Sequence, residues 1–264
     1  MGIRWNHSGQ ALAAAVAVIT TAGGDAFAER CKGLDVRKVE VSGSNDEWTT
    51  SNISVDKGEL VVVLPKGTVG LGGLAGTTGP KGTLGGNGTL EMKVGNAKYV
   101  KTGSNHLWQA DAVGEIKFRV RDTDYTDNTG SFEATLLVMH TAMTADCVDT
   151  ASTQVEGAND EWASTGLSAE YGDVLITYAT GKVKLGKFSG STGPGGQSNG
   201  SGALELKVGT SVFGRIGAQA VQVLSGDGEL KLRVKDSKYD DNAGSFSVQL
   251  VRIRGNTVSA LLSK

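Results

Sequence analysis

Two short stretches concentrate the oxygen chemistry of this chain. Residues 122–132 read Asp-Thr-Asp-Tyr-Thr-Asp-Asn-Thr-Gly-Ser-Phe, and residues 236–246 read Asp-Ser-Lys-Tyr-Asp-Asp-Asn-Ala-Gly-Ser-Phe. Asp122, Asp127 and Asn128 offer three side-chain oxygens from one turn, with Asp124 beside them. The second stretch repeats Asp236, Asp241 and Asn242 and sets Lys238 where the first has Asp124. Carboxylates crowded into so short a segment repel one another unless a cation sits among them. Oxygen donors of this kind suit a hard ion, calcium above all. A lysine side chain cannot ligate calcium, so position 238 contributes a backbone carbonyl or nothing. An EF-hand does not fit: Asp127 stands where its invariant glycine belongs, the flanks alternate like strands, and Ser247 holds the twelfth position of the second loop. The competing reading is a solvated, ion-free hairpin turn. The density of acids in both copies, with Asn and Gly at matching places, favours the ion.

Both loops belong to a larger duplication. Trp48 recurs as Trp162, Gly58 as Gly172, Gly79-Pro80 as Gly193-Pro194 and Asp122 as Asp236, always at one spacing (162 − 48 = 114). Solenoid units run to about 20–50 residues, so this period marks a duplicated domain. The 264 residues suffice for two domains, each with its own core.

Within each repeat the hydrophobic period is two. Val39-x-Val41, Gly58–Leu64, Leu90-x-Met92-x-Val94, Ile116-x-Phe118-x-Val120 and Phe132-x-Ala134-x-Leu136 read as strands. So do Val174–Tyr178, Leu204-x-Leu206-x-Val208, Leu230-x-Leu232-x-Val234 and Phe246-x-Val248-x-Leu250. Lys117, Arg119, Lys231 and Arg233 take the alternate, solvent-facing positions, which makes them one wet sheet face. Glycine-rich loops at 67–88 and 181–202 are long enough to suggest function. The chain is therefore expected to be all-β, with 39 glycines and three prolines matching a turn-rich fold. Trp48 and Trp162 are read as core anchors. Asn45-Asp46-Glu47 and Asn159-Asp160-Glu161 are read as solvated turns. Val258–Leu262 is an edge-strand or partner-binding candidate.

Composition excludes several function classes. A net charge of −2 with mixed signs offers no basic surface for nucleic acid. His7, His106 and His140 are scattered and none recurs in the other repeat, which argues against a zinc site or a catalytic triad. No nucleophile–base pair is visible, so an enzyme is not expected.

The N-terminus reads as an export signal: Arg4, an apolar run at 11–22, then Ala26-Phe27-Ala28 before Glu29. The run is too short for a membrane span. Segments are accordingly placed at 1–28 for the signal, 29–141 for the first repeat, 142–152 for a linker and 153–264 for the second repeat, in a secreted or periplasmic protein. Cys31 and Cys147 sit just ahead of the two repeats. In an oxidising compartment they can form a disulfide within the chain; two free thiols and pairing between chains in a homo-oligomer stay open.

The ordered motifs resemble a family. Trp-x-x-[Thr/Ser]-x-[Ile/Leu], Gly-[Asp/Glu]-[Val/Leu], Gly-Pro, Leu-x-[Met/Leu]-Lys-Val-Gly and Asp…Tyr-x-[Asp/Asn]-Asn-x-Gly-Ser-Phe follow one another twice. Together they are similar to the soluble, calcium-dependent galactophilic (PA-I type) lectins of bacteria, over roughly residues 36–137 and 155–253. The resemblance implies two tandem jelly-roll-like β-sandwich domains (galactose-binding-domain-like) with one calcium each. Asp122, Asp127 and Asn128 match side-chain ligands, and the carbonyls of Asp124 and Leu71 match backbone ligands. In the second repeat Asp236, Asp241 and Asn242 and the carbonyls of Lys238 and Leu185 take those roles. In such lectins two sugar hydroxyls complete the calcium shell, and Asp122, Asp127, Asp236 and Asp241 are the matching carbohydrate-binding residues. The implied partner is a carbohydrate or glycan surface. The loop after Gly-Pro is shorter here and carries no histidine, so the resemblance leaves the sugar open. The alternative is a calcium-stabilised extracellular structural or self-assembling module without sugar binding.

Overall fold

Alternating burial sets the strands. In β8 (Gly114–Val120) Ile116, Phe118 and Val120 are fully buried, while Lys117 and Arg119 point to the other side. The computed structural model describes residues 32–73, 76–141, 148–186 and 190–262. The export signal, Cys31 and Cys147 lie outside the described residues.

The chain divides into two compact units. The first contains β1 (Leu34–Ser42), β2 (Thr49–Val55), β3 (Leu60–Gly70), β4 (Thr77–Thr78), β5 (Leu90–Val94), β6 (Val100–Lys101), β7 (His106–Gln109), β8 and β9 (Thr129–Met139). One sheet has the order β1-β9-β3-β4, with β7 also paired to β3; the other has β2-β8-β5-β6. Every pairing is antiparallel. The two sheets enclose one core that includes Val61, Val63, Leu90, Met92, Phe118, Phe132 and Leu136. The result is an all-β sandwich.

The second unit repeats this strand for strand. It contains β10 (Val148–Glu156), β11 (Ala163–Ala169), β12 (Val174–Leu185), β13 (Ser191–Thr192), β14 (Leu204–Val208), β15 (Ser211–Arg215), β16 (Gln219–Val223), β17 (Gly228–Val234) and β18 (Asn242–Ile253). Its sheets run β10-β18-β12-β13, with β16 on β12, and β11-β17-β14-β15. The cores differ in detail. Trp108 packs against the first core beside Ala110, whereas the second has Gln222 there and a buried Leu224 two residues on.

Three sequence expectations change. The stretch 142–152 is not all linker: β10 begins at Val148 and pairs with β18 from Val148↔Ile253 onward. Its alternation is masked in the sequence because only Ala151 is apolar among residues 149–154. Val258–Leu262 forms no strand; it lies in the helix α1 (Gly255–Leu262), whose first amide donates to Asp173 Oδ1 at 2.8 Å. That carboxylate also accepts from Glu170 N at 2.9 Å, so one buried Asp holds both a turn and the helix start. Trp48 and Trp162 are not core anchors. Thr49 pairs with the core residue Phe118, which turns Trp48 outward, beside Arg119. Its ring carries Lys93 Nζ at 4.4 Å and Arg119 Cζ at 4.7 Å from the centroid. Trp162 likewise faces Lys207 at 5.7 Å and Arg233 at 4.5 Å. Attraction between cation and ring holds these outer faces together.

Candidate metal centre

Both acidic loops occupy the same topological place. In the first unit the loop leaves β8 in one sheet and enters β9 in the other, spanning one end of the sandwich. β9 pairs with β3 through Gly70↔Thr129, so the glycine-rich loop that starts at Leu71 leaves from beside Asn128. In the second unit the register runs one pair further, with Leu185 opposite Asn242. Cross-strand register thus brings two loops together that lie about fifty residues apart in sequence.

A third loop joins them. Asn128 Nδ2 donates to Gly43 O at 3.1 Å, and Gly43 N donates to Gly130 O at 2.9 Å. Asn242 Nδ2 donates to Gly157 O at 3.1 Å, and Gly157 N to Gly244 O at 2.8 Å. Ligand chemistry does not point to Gly43 or Gly157; the only sequence signal for them is that both are glycines at equivalent places in the two repeats.

Tyr125 and Tyr239 close the neck of each loop. Tyr125 Oη donates to Val120 O at 3.0 Å and accepts from Asp122 N at 3.2 Å. Tyr239 does the same with Val234 O at 2.9 Å and Asp236 N at 3.2 Å. Asp122 Oδ1 and Asp236 Oδ1 each accept the next backbone amide, at 2.7 and 2.8 Å. The position and orientation of these first carboxylates therefore come from the backbone.

Close approach needs glycine at Gly72 and Gly186, which follow the two Leu residues. Gly72 has φ +63°, and a Cβ there would collide with the carboxylate of Asp127. Gly186 has φ +81°, and a Cβ would lie 2.8 Å from Asp241 Oδ2. A carboxylate against the backbone of the glycine-rich loop places Asp127 next to Leu71, and Asp241 next to Leu185.

Asn128 and Asn242 give the most informative atoms. They are 6% and 8% exposed, and in each the amide nitrogen is fixed by a carbonyl that can only accept. Their Oδ1 atoms are buried without any hydrogen-bond partner. A buried acceptor left unpaired costs roughly 1–3 kcal/mol. Two such atoms at equivalent positions, each in an acidic loop, fit a hard cation: an oxygen-rich set of carboxylates, amide oxygen and carbonyls is what calcium takes.

Asp124 behaves differently. Its Oδ1 accepts from Thr126 N at 3.0 Å and Thr126 Oγ1 at 2.6 Å, and the hydroxyl bond chiefly holds its pKa below the usual value. Its side chain is engaged within its own turn, which leaves its carbonyl as the group to consider. Lys238, at the matching position, donates from Nζ to Asp241 Oδ2 at 3.2 Å. Among the described residues no three His, Cys, Asp or Glu side chains converge in a metal cluster. A divalent ion here would have to draw on asparagine and backbone oxygens as well as on carboxylates. Asn45 and Asn159 accept the amides of Glu47 and Glu161, both at 3.0 Å, and form ordinary exposed turns.

No protein-family model and no curated protein matches this chain. Among solved structures, one described as "EclA N-terminal domain; PllA-like lectin" is 23% identical, with 42% of this chain and 98% of that chain covered and a TM-score of 0.36. A chain from the Sulfolobus turreted icosahedral virus is 10% identical, with 83% of this chain and 60% of that chain covered and a TM-score of 0.24. At those scores neither likeness bears on what this chain binds. No described helix is long and apolar enough to cross a membrane.

Proposed function

We propose that this chain is an exported carbohydrate-binding protein with one calcium site in each unit. In the first unit Asp122, Asp127 and Asn128 hold the ion with the carbonyls of Asp124 and Leu71. In the second, Asp236, Asp241 and Asn242 do so with the carbonyls of Lys238 and Leu185. The ion supplies a Lewis-acidic centre that sugar hydroxyls can complete; the loops supply carboxylates that accept from those hydroxyls. The reading is carried by the buried, unpartnered Oδ1 of Asn128 and its twin on Asn242. A glycan array probed with and without EDTA tests it. Binding that appears with calcium and is lost with EDTA is expected; no calcium-dependent binding to any glycan would refute the carbohydrate reading.

A second reading keeps the ion and drops the sugar. The loop after Gly79-Pro80 closes on its own backbone, with Thr83 N to Asn87 O at 2.8 Å and Gly86 N to Thr83 O at 2.9 Å, and it presents Leu84 fully to solvent. Such a loop offers a sugar little to grip, and the ion then serves to stiffen a structural or self-assembling module. Calcium-dependent polymerisation without sugar, followed by light scattering, distinguishes it.

A further inference from the structure

The two centres are not equivalent. In the second unit both carboxylates proposed as ligands already hold internal donors. Asn242 Nδ2 donates to Asp236 Oδ2 at 2.9 Å, a bond that Asn128 does not make to Asp122. Lys238 Nζ donates to Asp241 Oδ2 at 3.2 Å and lies 3.6 Å from Asp240 Oδ1. The corresponding residue in the first unit is Asp124, whose carboxylate stays within its own turn. Residues 122–128 carry three acids and no base, whereas residues 236–242 carry three acids and one base. A Cβ added at Gly186 would also meet Asp241 less closely than one added at Gly72 would meet Asp127.

We propose that Lys238 is an internal competitor for the divalent cation, which makes the second unit the weaker of two calcium sites, by a margin that salt narrows. The proposal rests on the calcium reading above. Calcium binds carboxylate oxygens at about 2.4 Å, so an ion on Asp241 Oδ2 would lie within about 5.6 Å of the ammonium. At that spacing the repulsion between a divalent ion and an ammonium, even in bulk water, corresponds to roughly a tenfold loss of affinity. Lys238 is well exposed, with 64% of its side chain accessible, and can swing away. The loss is therefore about three- to tenfold. Lower ligand charge is itself a known means of weakening calcium sites.

The test titrates calcium alone into full-length protein by calorimetry. Asp122→Ala leaves the second centre and Asp236→Ala leaves the first. At low ionic strength the second centre is expected to bind about three- to tenfold more weakly. Lys238→Met, which keeps the backbone carbonyl, should close most of that gap, and 0.5 M KCl should narrow it. Equal affinities in the two single-site proteins, or a Lys238→Met protein indistinguishable from its parent, would overturn the proposal while leaving the calcium reading standing. No calcium heat in any protein, the parent included, would overturn both. As an independent readout, the Lys238 ammonium resonance should shift at the calcium concentration that fills the second centre; an unmoved resonance rejects the competition.

Discussion

Removing calcium with EDTA is expected to lower the melting temperature of each unit by about 10–20 °C relative to protein in excess calcium. Without an ion, each unit leaves a buried Asn Oδ1 unpaired, at Asn128 or Asn242, which costs roughly 1–3 kcal/mol. An ion present at a hundredfold its dissociation constant stabilises the folded unit by about 2.7 kcal/mol. For a domain of this size each kcal/mol moves the melting temperature by about 4–8 °C, which yields the stated range. Scanning calorimetry of the full chain in EDTA, calcium and magnesium measures it. Magnesium should do much less, because it demands a tight octahedral shell and sheds water reluctantly. Asn128→Ala should abolish the calcium response of the first unit alone. In EDTA the same variant should melt within about 1 kcal/mol of the parent. It deletes an unsatisfied acceptor along with the 3.1 Å bond to Gly43 O, two effects of similar size and opposite sign. If millimolar calcium moves neither unit, or stabilises Asn128→Ala as much as the parent, the orphaned oxygens do not mark calcium sites.

Gly72→Ala should weaken calcium binding in the first unit by at least about tenfold, because the new Cβ meets the Asp127 carboxylate and left-handed backbone disfavours alanine by about 1–2 kcal/mol; unchanged calorimetric affinity would contradict the placement of Asp127. Trp48→Ala should cost about 1–2 kcal/mol in urea unfolding and leave calcium affinity intact, since the ring lies outside against Lys93 and Arg119; a loss of about 3–5 kcal/mol would return it to the core. His140 should make the first unit pH-sensitive. Burial alone would lower its pKa, but hydrogen bonds to Asp35 (3.0 Å) and Glu59 (2.8 Å) outweigh that and raise it above 6.5. The contribution is therefore full below about pH 6.5 and is lost as pH rises through the raised value. Urea midpoints between pH 5 and 8.5 should fall for the parent's first unit and stay flat in His140→Gln. The second unit, with Arg254 on Asp149 at that place, should not share the trend.

The residues themselves determined much of this molecule. Period-two alternation such as Ile116-x-Phe118-x-Val120 identifies a strand because successive side chains leave a pleated backbone on opposite sides. Repetition at one spacing foretold that one topology would occur twice, and the crowding of Asp122, Asp127 and Asn128 flagged the loop without any fold. Tertiary structure decided the rest. Trp48 could be assigned to neither face until the Thr49↔Phe118 pairing was known, since a slip of one residue inverts every side chain. The pairing of Gly70 with Thr129, and the Gly43 carbonyl under Asn128, are products of cross-strand register, which no local pattern encodes. Helix α1 is short and starts where the buried Asp173, far back in the chain, accepts its first amide. Periodicity reports what each residue's immediate neighbours impose; the assembly of a site from three distant loops depends on which strands lie side by side.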